Sequence, residues 1–210
     1  MTQTDTPLPP HDIYAPPQAA LAEPEAPADV PPFYVVSVAK LGLLLFATFG
    51  LYSLYWFWRH WMLYRWNQKR FNIWPVPRAV FAIFFVHSLN DAIDQTLRRN
   101  GSTYTWSAAN WATLYVVFIA VAWACRWFPE NGLPPWLGVL VSVVSLSGQL
   151  IAMAHAQRAA NRACNDPEAE ANRHLTAANW AWLVLGTVIW LLTLIGLFLD
   201  TPIDVRLPAP

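Results

Sequence analysis

Long apolar runs separated by short polar turns dominate the second half of this chain, on the scale of bilayer-crossing helices rather than of strands or amphipathic surface helices. Three stretches are apolar for long enough to span: Ala108 to Phe128, Trp136 to Ala156 and Ala177 to Leu199. The turn between the first two, PENGLPP at 129–135, is short and nearly uncharged, whereas Arg158, Arg162 and Arg173 follow the second span. An earlier stretch, Phe33 to Trp58, also has the length to cross a hydrocarbon core of about 30 Å. It contains Thr48-Phe49-Gly50, however, and glycine both weakens a helix interior and is the usual residue at which a helix stops. This leaves a single kinked span with Lys40 snorkelling at one end, or a half-helix that turns at Gly50 and returns. Only the first carries the N-terminal segment across the membrane.

Eleven aromatic residues lie between Phe49 and Trp74, accompanied by Arg59, Arg65, Lys69, Arg70 and Arg78. Trp and Tyr favour the headgroup level and basic residues favour the inner side, so this region reads as an interfacial belt facing the cytoplasm. Pro75 and Pro77 then break the chain, and Ala79 to Val86 is apolar for only eight residues before His87, Asn90, Asp91 and Asp94. Because Arg98 and Arg99 follow, the pattern predicts a helix over 79–96 that lies in or dips into the membrane with both ends on the basic side. Ser107-Ala-Ala-Asn110-Trp111-Ala and Thr176-Ala-Ala-Asn179-Trp180-Ala each open a span. A hydroxyl N-cap with Asn three residues later can cap reciprocally, so both helices are expected to enter from one face.

The predicted fold class is therefore all-α: a polytopic helical membrane protein with three spans, a kinked or re-entrant first element and an interfacial helix. Composition agrees, with 56% hydrophobic and 12% charged residues. It also sets apart residues 1–32, where nine prolines and five acids sit without a single Lys or Arg. Such a segment is expected to be a disordered tail, followed by a membrane domain over 33–200 and a short tail over 201–210. The formal net charge is zero and no basic block occurs, which argues against nucleic acid as a partner. The start MTQTDTPLPPHD lacks the charged and apolar regions of a secretory signal, so the first apolar segment is expected to be retained. Cys125 and Cys164 are too few for a disulfide framework, have no metal-binding spacing, and are expected on opposite sides of the membrane.

Chemistry has few candidate places. His87, Asp91 and Asp94 fall at i, i+4 and i+7, so one helical face can offer an imidazole and two carboxylates to a metal or a proton path; the plainer reading is a solvated face with an Asp94–Arg98 pair. Gly138, Ser142, Ser145 and Gln149 form a small and polar stripe on the second long span, with His155 beyond it. Such stripes let helices approach closely in lipid, and their sharper alternative is a polar conduit. Ser145-Leu146-Ser147-Gly148 faintly resembles an intramembrane serine-protease motif, but His155 lies along the same helix rather than opposite the serine. No phosphate-cradling loop, zinc motif or dinucleotide fingerprint occurs. No catalytic residue, metal or cofactor is therefore predicted.

Lys40, Thr48-Phe49-Gly50-Leu51-Tyr52 and Tyr55-Trp56 together resemble the N-terminal signature of a family of bacterial inner-membrane proteins of unknown function. The resemblance implies a multi-pass protein of the bacterial inner membrane and brings no activity with it. The expected role is structural or interactive, exerted within the lipid bilayer through helix packing, with a protein partner or a second copy of the chain left open. The alternative is a small transporter or channel component that uses the polar residues above.

Overall fold

The computed structural model describes residues 30–127 and 135–199. The tail over 1–29, most of the turn over 129–135 and the C-terminal tail lie outside the described residues. Every regular element among the described residues is helical: α1 (Val38–Ala47), α2 (Tyr52–Asn67), α3 (Pro75–Val80), α4 (Ala82–Arg99), α5 (Ala108–Trp127), α6 (Pro135–Ala163) and α7 (Ala177–Leu199), with a 3-10 turn at Glu170–Asn172. The fold is all-α and polytopic. α5, α6 and α7, of 20, 29 and 23 residues, run about 30, 43 and 35 Å and are long and apolar enough to cross a bilayer.

The first element turns back. α1 has ten residues, about 15 Å, which is half the thickness of the hydrocarbon core. It ends in a tight stop: the Gly50 amide donates to the Leu45 carbonyl at 2.8 Å, with Phe49 at φ 52° and Gly50 at φ 86°. Thr48 stitches the two limbs, its hydroxyl donating to Leu44 O at 2.7 Å and accepting the Tyr52 amide at 2.9 Å. Gly50 meets α6 near Leu146, in the middle of that helix. α2 then descends beside α1 until Tyr64 stacks on Phe33, the residue that leads into α1, at 5.6 Å. Both limbs thus open on the same face, the one bearing Arg158, Arg162 and Arg173. The crossing reading of Phe33 to Trp58 is replaced by a re-entrant hairpin.

Burial revises two further expectations. Lys40 does not snorkel to solvent but is 4% exposed. The aromatic run is only partly an interfacial belt: Trp56, Phe57 and Trp61 are fully buried and form the core of the hairpin, while Tyr55 and Trp74 face outward. Crowded rings at helical spacing served packing because α2 is enclosed by α3, α4, α6 and the 30–36 segment.

Pro75 and Pro77 start a helix rather than break one. Pro75 occupies the first turn of α3, where its missing amide costs nothing. A bend at Phe81 separates α3 from α4, so the predicted 79–96 helix is two elements, the second reaching Arg99. α4 buries Ala82, Val86, Leu89 and Ile93 against α5 and α6, whereas Val76, Val80, Phe81 and Phe84 are exposed beside its start. That apolar patch at the entrance of an otherwise polar helix fits an element seated in the interface. α5 and α6 pack so closely that a Cβ on Gly148 would collide with the Phe118 ring.

α7 is peripheral. It packs chiefly against α1, with Gly186 seated on the Ala47 carbonyl, and Trp190 both stacks on Phe49 at 4.0 Å and donates to Phe46 O at 2.8 Å. Most of its other residues are exposed apolar side chains, which is what lipid contact requires. At its start Thr176 and Asn179 cap reciprocally, Asn179 Oδ1 accepting the Thr176 amide at 3.0 Å, as the sequence predicts.

Candidate functional site

Gln157 and Asn161 stand one turn apart on α6 and hold the hairpin to the bundle. Gln157, wholly buried, accepts from Trp56 Nε1 at 2.5 Å and lies 3.3 Å from His60 Nε2 through the same oxygen. Its amide nitrogen donates to Tyr34 O at 2.8 Å and to Asn161 Oδ1 at 2.6 Å. Asn161 then pairs both ways with Val36, donating to its carbonyl at 3.1 Å and accepting its amide at 3.4 Å. An extended segment with no strand partner thus has its buried backbone groups satisfied by two side chains. Since Gln157 Oε1 can only accept, His60 presents its N–H at Nε2, and its bare Nδ1 is buried without a partner. Burial lowers the His60 pKa to about 3, so the ring is neutral.

Beside this clamp lies a cavity of about 1000 Å³, at the top of the roughly 300–1,000 Å³ range of ligand sites. It is bounded by α2 (Leu51, Tyr52, Tyr55, Arg59), the start of α7 (Ala178, Asn179, Trp182), the 30–35 segment and the 164–176 loop, with Lys40 and Thr48 contributed by α1 and its turn. From Lys40 at the basic face to Thr48 at the hairpin tip is eight helical residues, about 12 Å. Lys40 Nζ donates to Asn172 Oδ1 at 2.7 Å and to His174 O at 2.8 Å, both neutral acceptors. Burial holds its ammonium below the usual lysine range. Arg59 stands over Tyr34 and Trp58, its guanidinium 5.8 and 5.9 Å from their rings, with Nε buried and unpartnered. Asp166 also borders the cavity, but its two oxygens accept the backbone amides of Glu170 and Ala171 at 2.8 and 3.0 Å. The Tyr34 hydroxyl links Tyr52 and Asn172 at 3.2 and 2.9 Å.

The polar residues singled out from the sequence do not gather here. His87 is exposed and meets Thr113 at 3.2 Å; Asp94 binds Arg98 at 2.7 Å and Trp106 at 3.1 Å; Asp91 points instead to a smaller hollow shared with Arg70 and Arg78. Gly138 and Ser142 are exposed and bonded only to each other along the helix, whereas Ser145 and Gln149 are buried. His155 stacks on Trp111 at 3.6 Å. Among the described residues no group of three His, Cys, Asp or Glu side chains is placed to hold a metal. Cys125 and Cys164 lie toward opposite ends of the bundle, and burial pushes the Cys164 thiol up to about 11.

Lys40, Thr48, Gly50, Tyr52, Tyr55 and Trp56, by contrast, converge. Thr48 and Gly50 form the tip, Trp56 meets Gln157, and Lys40, Thr48, Tyr52 and Tyr55 line the cavity. Sequence reasoning missed Gln157, Asn161, Asn172 and Arg59 as members of this site; polar residues in or just past an apolar helix were the available signal for the first two. The fold and this site define a polytopic membrane protein with a re-entrant hairpin and an adjoining amphipathic cavity. No protein-family model matches the chain, and neither a curated protein nor a solved structure is significantly similar to it.

Proposed function

We propose that this chain is a non-catalytic protein of the bacterial inner membrane that acts by binding and packing, with the re-entrant hairpin as its working element. What carries the reading is that the polar candidates of α4 and α6 do not meet: His87 and Asp94 of α4 face α5 or the segment before it, and Ser142, Ser145 and Gln149 of α6 face either the periphery or a helix seam. A conduit needs polar groups that meet in one continuous path. The likeness of Lys40, Thr48, Gly50, Tyr52, Tyr55 and Trp56 to the bacterial signature supports the same placement, since each of these residues either shapes the hairpin or faces its cavity. The competing transporter reading draws on Ser145, whose buried hydroxyl has no partner.

Single cysteines distinguish the two. In a background of Cys125→Ser and Cys164→Ser, Ser145→Cys and Gln149→Cys are expected to resist a membrane-impermeant maleimide from both sides of reconstituted vesicles. Reaction of both from either side would give the transporter reading the advantage.

A further inference from the structure

We propose that the cavity between α2 and α7 is a binding site for one anionic phospholipid, with its phosphate at Lys40 and Arg59 and an acyl chain directed along Leu51 and Trp182 toward the hairpin tip. The inference goes beyond the packing role and does not depend on it.

Charge complementarity selects the headgroup. Lys40 is 4% exposed and has only neutral acceptors, and a buried cation without a counter-charge is costly. Its ammonium carries three donors and uses two. Arg59 adds a second cation on the same cavity, with a buried Nε–H unused, and its planar fork suits a phosphate. The carboxylate that borders the cavity, Asp166, is committed to two backbone amides. The cavity therefore sets two cations against one carboxylate whose oxygens are already engaged, and among the described residues the sole ion pair is Arg98–Asp94 on α4.

Shape selects a lipid over a free anion. The polar groups cluster at the basic face, where headgroups lie, while the deep end is walled by Leu51 and Tyr55 on α2 and Trp182 on α7. Leu51, Tyr55 and Trp182 are exposed at 59, 43 and 51%, so the apolar part opens to the side between two helices rather than to water alone. A phosphate ion would leave the apolar part of such a space unfilled. The hairpin explains why the site exists: a crossing helix would fill the membrane with side chains along its whole length, whereas a limb that stops at Thr48 leaves its tip and flank to be covered.

The full chain, purified in a nonionic detergent, is titrated with phosphatidylglycerol, phosphatidylcholine or inorganic phosphate, and binding is read by native mass spectrometry alongside the thermal midpoint. One phosphatidylglycerol is expected to bind and raise the midpoint, with phosphatidylcholine bound about tenfold more weakly and phosphate without effect. Arg59→Gln is expected to weaken phosphatidylglycerol about tenfold, while Lys69→Gln, which removes an exposed cation outside the cavity, leaves it unchanged. Leu51→Trp narrows the apolar end and is expected to weaken both lipids together. The Arg59 side chain makes no hydrogen bond among the described residues, so its replacement tests binding without unpicking the fold; an unliganded midpoint equal to the parent's checks this. Equal binding of the two lipids, equal effects of Arg59→Gln and Lys69→Gln, or phosphate competing as well as phosphatidylglycerol would overturn the proposal.

Discussion

At the scale of single residues, stability concentrates on Gln157 and His60. The glutamine satisfies an indole, an imidazole, a carbonyl and an asparagine at once, so Gln157→Leu leaves several buried polar groups stranded. Each such group costs about 1–3 kcal/mol. His60 makes the clamp sensitive to acid. Its native pKa near 3 lies below its unfolded value of 6.5, so below that value the unfolded chain binds a proton that the folded chain refuses. The stabilisation is complete above about pH 6.5 and declines as the pH falls toward 3, by up to about 1.4 kcal/mol per pH unit. Unfolding midpoints in detergent between pH 7.5 and 4.5 should fall on the acid side for the parent protein. His60→Phe, which keeps a ring but cannot titrate, should flatten that limb; an unchanged slope would mean that carboxylates govern it instead.

At the scale of elements, the re-entrant hairpin depends on a backbone conformation that few residues accept. Gly50→Ala places a methyl at φ 86° and 3.0 Å from Leu146 Cδ2. Left-handed backbone alone costs an L-residue about 1–2 kcal/mol, and thermal unfolding should register at least that loss. The hairpin also bears on topology, because two limbs that open on one face leave Val30, the first described residue, on the side of the α2–α3 connection. With Cys125 and Cys164 replaced by serine, Ala20→Cys and Gln68→Cys should be labelled by an impermeant thiol reagent only after permeabilisation. Gly132→Cys should be labelled in intact cells. Labelling of Ala20→Cys from outside would restore the crossing helix. α7 answers to a different contact: Gly186→Leu would drive a side chain into the Ala47 carbonyl, an overpacking that costs about 1–3 kcal/mol. Hydrogen exchange should then accelerate in α7 while the Gln157 clamp keeps its protection.

For the whole molecule, three spans and a hairpin make an asymmetric body. On the basic face the 30–36 segment, α2, α4 and the 164–176 loop pack around the end of α6, giving a broad, closely bonded base. The membrane half is thinner, with α7 held to the tip of α1 mainly by Gly186, Phe49 and Trp190. Exposed apolar residues line that half, and the cavity lies where base and membrane half meet. The arrangement puts binding groups at headgroup level and reserves the deeper surface for lipid or another helix.

The sequence by itself determined the all-helical class and the three helices long and apolar enough to span, because length and hydropathy are local quantities that a bilayer reads directly. It also marked Gly50 as the residue that decides the first element, since a glycine in the left-handed region is a common way for a helix to stop abruptly. Which way that element went was settled by tertiary structure: α6 supplied Gln157 and Asn161 at the one depth where a returning α2 and an extended 33–36 segment could both be satisfied. The same distant packing put Trp56 in the core rather than at the interface, and buried Lys40 against Asn172 and His174. These outcomes rest on partners more than a hundred residues away, to which no local pattern around Gly50 responds.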